Sequence, residues 1–338
     1  MTIIKIVAGA FAGILFAASG AAAQTSGTEF FKGKTLKIIV GYGPGGGYDT
    51  YARMLAPHFA RKLGATVVVE NQPGAGGLNA LNKLVVAQAD GLSMMLVNGT
   101  AAAMSQLAGM KSVRYDLGKM SSLGTVAKSP WIWMVNKDSP IKTPQDAVNL
   151  GREIKWAASG PIDGLSDGAW FTCEALGLKC NVVIGYKGSN DAGRAVMQGE
   201  MDAIYVSDTS AFNYSKTGNV RAIAVINRKP SRFFPGLKPV FDSMKLSKDA
   251  EWLFDFHSTV EDLGRILVAP PNMPADRLAA LQKAVAEVLT DKDVIAQGEK
   301  TRRYIEFVDA AQTQKNIKTV VDVTSQEKAR IRRVLRLP

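Results

Sequence analysis

Five glycines crowd the stretch Gly41-Tyr-Gly-Pro-Gly-Gly-Gly47, between the apolar run Leu36-Lys-Ile-Ile-Val40 and a helix-like pattern that opens at Tyr48-Asp-Thr50. Glycine lets backbone N–H groups come close to a ligand, and a helix N-terminus adds unpaired N–H donors at the positive end of its dipole. A strand, a loop stripped of side chains and a helix start can together hold an anion.

Two other chemistries compete for the same residues. Gly41-Tyr-Gly43-Pro-Gly-Gly46 spells G-x-G-x-x-G, and Glu70 ends the next strand about where a ribose-binding acid belongs. Against a dinucleotide stand Pro44, the extra Gly47, and Asp49, whose charge in the first helical turn would repel a pyrophosphate; a P-loop would need a Lys-Ser/Thr ending. Catalysis fares no better. Ser159-Gly160 follows Trp156-Ala-Ala158 and lacks the leading glycine of a nucleophile elbow. The only histidines are His58, in a helix, and His257, in a stretch that reads as extended; neither has a companion at metal-ligand spacing. Glu251, Asp255, Glu261 and Asp262 form an acidic patch without an evident partner. No enzyme activity, metal or cofactor is therefore expected, an exported hydrolase using Ser159 being the lesser alternative.

The elements that would position an anion site follow one pattern. Short β-branched runs at 36–40, 66–69, 93–97, 155–158, 182–184, 202–206, 220–226 and 265–269 alternate with helical segments, the sign of an α/β fold with mainly parallel sheets flanked by helices. Their C-terminal ends carry small or hydroxyl residues: the glycine loop, Asn98-Gly-Thr100, Ser159-Gly160, and Ser207-Asp-Thr-Ser210. Ligands of open α/β sheets lie outside those ends. Two extended runs, Leu123–Val126 and Trp131–Val135, joined by Lys128-Ser-Pro130, mark a crossing between domains.

Residues 1–23 read as a secretory signal peptide: Lys5, an apolar run from Ile6 to Ala18, and Ala21-Ala-Ala23 as the cleavage site. The periplasm is the expected location. About 315 residues remain, enough for two domains, read as 24–126 with 256–338 and as 127–255. The two cysteines, Cys173 and Cys180, either bridge a short loop after a helix ending near Gly177 or stay as separate thiols. The net charge of +11 is spread along the chain, dense only in the tail from Lys328 to Arg336; with export it excludes nucleic acid and suits anionic solutes.

Lys34-x-x-Lys-Ile-Ile-Val40, Pro44-Gly-Gly-Gly-Tyr-Asp-Thr-Tyr-Ala-Arg53 and Val68-Val-Glu-Asn-Gln-Pro-Gly-Ala-Gly-Gly77 resemble the N-terminal signature of the tripartite tricarboxylate transporter receptors, or Bug-type solute-binding proteins. The resemblance continues through Ala89-Asp-Gly91, Ser159-Gly160, Tyr186-Lys-Gly-Ser189, Gly199-Glu-Met-Asp202, Arg221-Ala-Ile-Ala-Val225 and Ala269-Pro270. It implies a monomeric two-domain Venus flytrap of the type II periplasmic binding class. Such a receptor closes on a small organic acid, a di- or tricarboxylate or an aromatic carboxylate, and delivers it to the membrane subunits of a transporter; a receptor feeding a membrane sensor kinase would have the same fold and pocket.

The ligand positions it implies are Gly45, Gly46, Gly47, Tyr48 and Asp49; Asn98, Gly99, Thr100 and Ala101; Ser159, Gly160, Asp163 and Gly164; and Lys187 and Gly188. Relatives often carry an acid at the position of Val206, for which Asp208 stands nearby. Lys187 would add a charge contact or face solvent. Asp49 is expected to cap its helix, with orientation of loop amides as the alternative. Tyr48, where relatives often carry Thr or Ser, suggests a bulkier lining or an outward ring.

Overall fold

The computed structural model describes residues 27–336, so the expected signal peptide lies outside the described residues. The chain first runs β1 (Thr35–Val40), α1 (Gly47–Leu63), β2 (Thr66–Asn71), α2 (Leu78–Val85), β3 (Ser93–Asn98), α3 (Gly99–Leu107) and β4 (Ser121–Ala127). It continues as β5 (Trp131–Asn136), α4 (Pro144–Val148), β6 (Ile154–Ala157), α5 (Leu165–Leu176), β7 (Cys180–Val183), α6 (Ser189–Met197), β8 (Ala203–Ser207), α7 (Asp208–Ser215), β9 (Val220–Val225) and α8 (Val240–Ser243). It returns through α9 (Lys248–Glu261) and β10 (Arg265–Ala269) to α10 (Ala275–Leu289), α11 (Lys292–Thr301), α12 (Ala310–Val321) and α13 (Ser325–Val334).

Two five-stranded sheets result, ordered β2-β1-β3-β10-β4 and β7-β6-β8-β5-β9. β1 pairs parallel with β2 and β3, while β10 is antiparallel to β3 and β4. The second sheet repeats the plan with β5 as its reversed strand. Most strands thus share a direction, but the sheets are mixed. The reversed strands are the ones by which the chain enters each half. β4 ends at the cleft edge, three residues carry the chain across, and β5 must then run away from that edge; β10 enters in the same way after α9. No helical crossover intervenes, so an antiparallel pairing is available where βαβ units would forbid it.

Each half has its own core. Trp133 packs on Trp156 at 5.1 Å in the second, while Leu36, Ile38 and Val40 of β1 meet Leu55 and Phe59 of α1 in the first. β1 buries residues in succession towards its C-terminal end because helices cover both sheet faces. α1 turns its apolar stripe of Tyr51, Met54, Leu55, Phe59 and Leu63 inward and stops at Gly64, whose φ of 62° is the left-handed cap glycine favours.

Two readings need amending. His257 lies in the helix α9, not in an extended segment, and the boundary expected at Phe256 falls inside that helix. Ser247 caps it by accepting from Ala250 N–H, a start signal hidden by the aromatic alternation Trp252, Phe254, Phe256. The acidic patch also finds partners: Asp255 pairs with Arg228 at 2.6 Å, and Glu261 accepts from Tyr205 at 3.1 Å. Cys173 in α5 and Cys180 at the start of β7 are joined as a disulfide.

Candidate functional site

The C-terminal edges of the two sheets face each other, and loops from both halves close over a cavity between them. Gly46, Gly47 and Tyr48 from the glycine loop line it, with Asn98 at the end of β3 and Asp163 from the loop after β6. The remaining wall comes from Tyr42, Trp131, Leu165, Ser189, Val206, Ser207, Ser210 and Arg265.

The glycine loop is held from behind by Asp49. Its carboxylate accepts from Gly45 N–H at 2.9 Å, Asn71 at 2.9 Å and Arg53 at 2.9 Å. Burial works against ionisation, but the hydrogen bonds from Arg53, Gly45 and Asn71 outweigh it and hold the carboxyl below the ordinary carboxylate value. Asp49 therefore orients the Gly45 amide of the loop and does not cap: the N-cap position belongs to Gly46, which has no side chain to give. The first N–H groups of α1 are thereby left without an intrahelical acceptor beside the cavity.

Asp163 has the same office on the other side, more completely. One oxygen accepts from Ser159 N–H, Ser159 Oγ and Gly160 N–H; the other from Leu165 N–H, Ser166 N–H and Ser166 Oγ. Burial pushes its pKa up, and those donors only partly offset it. With both oxygens occupied it is a scaffold of the loop, aimed at its own backbone. Its carbonyl oxygen accepts from Asn98 Nδ2 at 2.9 Å, a bond across the cleft. Gly164 must be glycine: φ is 86°, and a Cβ there would lie 2.5 Å from the Trp131 ring.

The α3 start offers less than expected. Asn98 Oδ1 accepts from Ala101 N–H, Asn98 Nδ2 also donates to Tyr42 Oη, and Gly99 N–H is taken by Gly264 O. Thr100 Oγ1 turns to Val260 O, and Ala101 lines a separate apolar hollow behind Tyr42. Lys187 is exposed and outside the lining; its carbonyl accepts from Gly43 N–H at 2.9 Å, beside Gly188. Asp208 is buried and accepts from Ser231 and Thr209 on the wall of a different hollow near the crossing. Burial raises its pKa, with Ser231 and the nearby Arg265 charge acting in the opposite sense.

The cavity's positive charge comes from Arg265, only 4% exposed. Nη1 donates to Ser129 Oγ and Nη2 to Ser207 Oγ, both at 3.1 Å, while Nε has no partner. The guanidinium lies 5.1 Å from the Tyr48 ring centre and 4.8 Å from that of Tyr51. Among the described residues no carboxylate forms an ion pair with it. Burial raises the Tyr48 phenol above its ordinary value despite the pull of Arg265, so the ring stays neutral. Tyr48 also stacks on Tyr42, centres 5.0 Å apart.

Attention to strand C-terminal ends alone misses Arg265 and Trp131. Both open the reversed strands, so their N-terminal ends reach the same edge: Arg265 lies opposite Asn98, and Trp131 opposite Ser207. One signal was present in the sequence, an arginine heading the fully buried run Arg-Ile-Leu-Val-Ala, where a charge needs a partner.

The starts of α1, α6 and α7 border the cavity through Gly46, Ser189 and Ser207, adding donors and dipoles to the arginine. Two α/β lobes closing over such a cavity define the type II solute-binding class of proteins. Residues 51–333 match the tripartite tricarboxylate transporter family receptor, and the chain belongs to that family. It is a solute-binding receptor, not an enzyme. Among curated relatives, Protein BugT of Bordetella pertussis is 27% identical over 232 residues, 67% of this chain and 70% of that one. Among solved structures, the periplasmic binding protein BugD superposes with a TM-score of 0.74 at 23% identity, covering 89% of this chain and 97% of that one. MatC from Rhodopseudomonas palustris, with bound malate, gives 0.71 at 19% over 89% and 99%. An R. palustris protein with adipate gives 0.74 at 17% over 89% and 97%.

Proposed function

We propose that this protein is a periplasmic receptor that captures a small organic carboxylate between its two lobes and delivers it to the membrane subunits of a tripartite tricarboxylate-type transporter. The observation that carries the reading is the buried, unpaired Arg265 at a cavity bordered by three helix starts. A guanidinium removed from water without a counter-ion is costly, and an anionic ligand supplies that counter-ion by charge-assisted hydrogen bonds. The malate and adipate of two structural relatives are of the same chemical class.

One lobe is built on β1–β4 and β10, the other on β5–β9, hinged at residues 128–130 and 262–264. The Gly43–Lys187, Asn98–Asp163 and Arg265–Ser207 bonds join the lobes in the closed form. A ligand that touches both lobes binds the closed form better and shifts the population towards it. A thermal-shift panel of organic acids tests the reading: an acid at a hundred times its Kd is expected to stabilise by about 2.7 kcal/mol. A melting point moved by a neutral sugar and by no acid would overturn it.

A further inference from the structure

We propose that the cavity takes a flat, singly charged aromatic acid in preference to a di- or tricarboxylate, with Arg265 as its carboxylate anchor; this rests on the carboxylate reading above. Among the residues lining the cavity Arg265 is the one cation. A second carboxylate would have to rely on the neutral donors of the helix starts and serine hydroxyls, because the side-chain donors of Asn98 and Tyr42 are taken. Asn98 Nδ2 gives its hydrogens to Tyr42 Oη and Asp163 O, and Tyr42 Oη donates to Gly76 O at 2.9 Å. Asp163, the only other ionisable lining residue with a carboxyl or basic group, is an acid and supplies no positive charge. The hollow behind Tyr42 contributes Leu78, Leu81, Met95 and Val97 and no cation. Lys187, in one of the closing loops, is exposed and bonded across the cleft through its backbone.

What the rest of the cavity supplies is ring surface. Tyr48 is fixed by its stack on Tyr42, at an interplanar angle of 28°. Trp131 is backed by Tyr205, with centres 5.3 Å apart and an interplanar angle of 18°. Leu165 and Val206 complete the apolar lining. Rigid aromatic plates favour a π-system over an aliphatic chain of equal size.

The test is isothermal titration of the full secreted chain with benzoate, cyclohexanecarboxylate, adipate and malate. Benzoate is expected to bind about tenfold or more tighter than each of the other three, and Arg265→Met to weaken it by about tenfold or more, with partial recovery in Arg265→Lys. Tyr48→Ser should bring benzoate and cyclohexanecarboxylate to within about threefold of each other. Adipate or malate binding tighter than benzoate overturns the ligand class and leaves the carboxylate reading standing; no binding by any of the four acids removes both. Benzoate affinity unchanged in a folded Arg265→Met protein overturns the anchor. Should that variant fail to fold, the ranking of the four acids on the native chain still decides.

Discussion

Gly160 and Gly76, one from each lobe, approach so closely that a Cβ on Gly160 would stand 2.5 Å from the Gly76 amide nitrogen and 2.6 Å from the Ala75 carbonyl carbon. Gly76 belongs to the Pro73-Gly-Ala-Gly-Gly77 turn and Gly160 to the loop that Asp163 organises. The glycines of these two loops therefore serve the fit of lobe on lobe as much as contact with a ligand.

Gly160→Ala is expected to hold the cleft ajar. The obstructing atoms are backbone and cannot swing aside, and the clash exists only in the closed form. The unliganded lobes should keep their stability within about 1 kcal/mol, since the clashing atoms belong to the facing lobe and the change disturbs neither core. Affinity for the ligand should fall about tenfold or more, because the competent closed state is depopulated. Small-angle scattering with and without ligand reads the closure directly; unaltered affinity and an unaltered ligand-induced contraction would refute it.

Asp163→Ala leaves four backbone N–H groups and two hydroxyls without their acceptor in a fully buried loop. Several unsatisfied donors at about 1–3 kcal/mol each give an expected loss of about 3 kcal/mol or more by urea unfolding. Asp163→Asn keeps one acceptor oxygen and should lose about half as much. Equal, small losses for both would show that water replaces the carboxylate.

Much of this was legible in the sequence, and the exceptions have physical causes. The alternation of apolar runs and helices gave both sheets, and the loop ends Gly46, Gly47, Tyr48, Asn98 and Asp163 do border the cavity. Strand direction was not legible, because β5 and β10 look like any buried strand; only the crossing of the chain reverses them. Arg265 and Trp131 were hidden for that reason. The family resemblance points to Lys187 and nearness to Val206 points to Asp208, whereas Asp208 turns into the hollow by Ser231 and Lys187 uses its carbonyl. Side-chain direction at a loop end depends on packing across the cleft, and no single-lobe pattern encodes it.

Gly46→Phe should abolish binding without unfolding. Gly46 has φ −74° and ψ 174°, open to any residue, and its Cβ would meet nothing nearer than Ser189 Oγ at 3.6 Å. The ring would then occupy the space it lines. An unchanged melting point of the free protein, with no shift by any acid, is the expected result; retained binding would move the site elsewhere.

Reducing the Cys173–Cys180 bridge, or changing both residues to serine, releases the turn between α5 and β7. For a loop this short the chain-entropy relation gives about 2.5 kcal/mol of stability. The bridge is remote from the cavity lining, so ligand affinity should stay within about twofold. A dithiothreitol titration followed by thermal unfolding separates the two effects; a reduced protein of native stability would show that the disulfide constrains nothing in the unfolded chain.

Asp49 sets an acid limit on the glycine loop. Its hydrogen bonds hold its pKa below the ordinary 3.8, so the folded state binds its proton less readily than the unfolded chain does. The stability it contributes is fully present above that ordinary value and is lost as the pH falls through the lower folded value. Asp49→Asn removes this dependence, since an amide does not titrate, and it also loosens the hold on Gly45 N–H. The slope of unfolding free energy against pH, measured between about pH 5 and pH 2, should become shallower in the variant. Ligand affinity at neutral pH should fall with it, because the Gly45 amide that anchors the loop next to Gly46 and Gly47 loses its carboxylate acceptor. An identical slope with unchanged affinity would mean that Arg53 and Asn71 hold the loop without the charge between them.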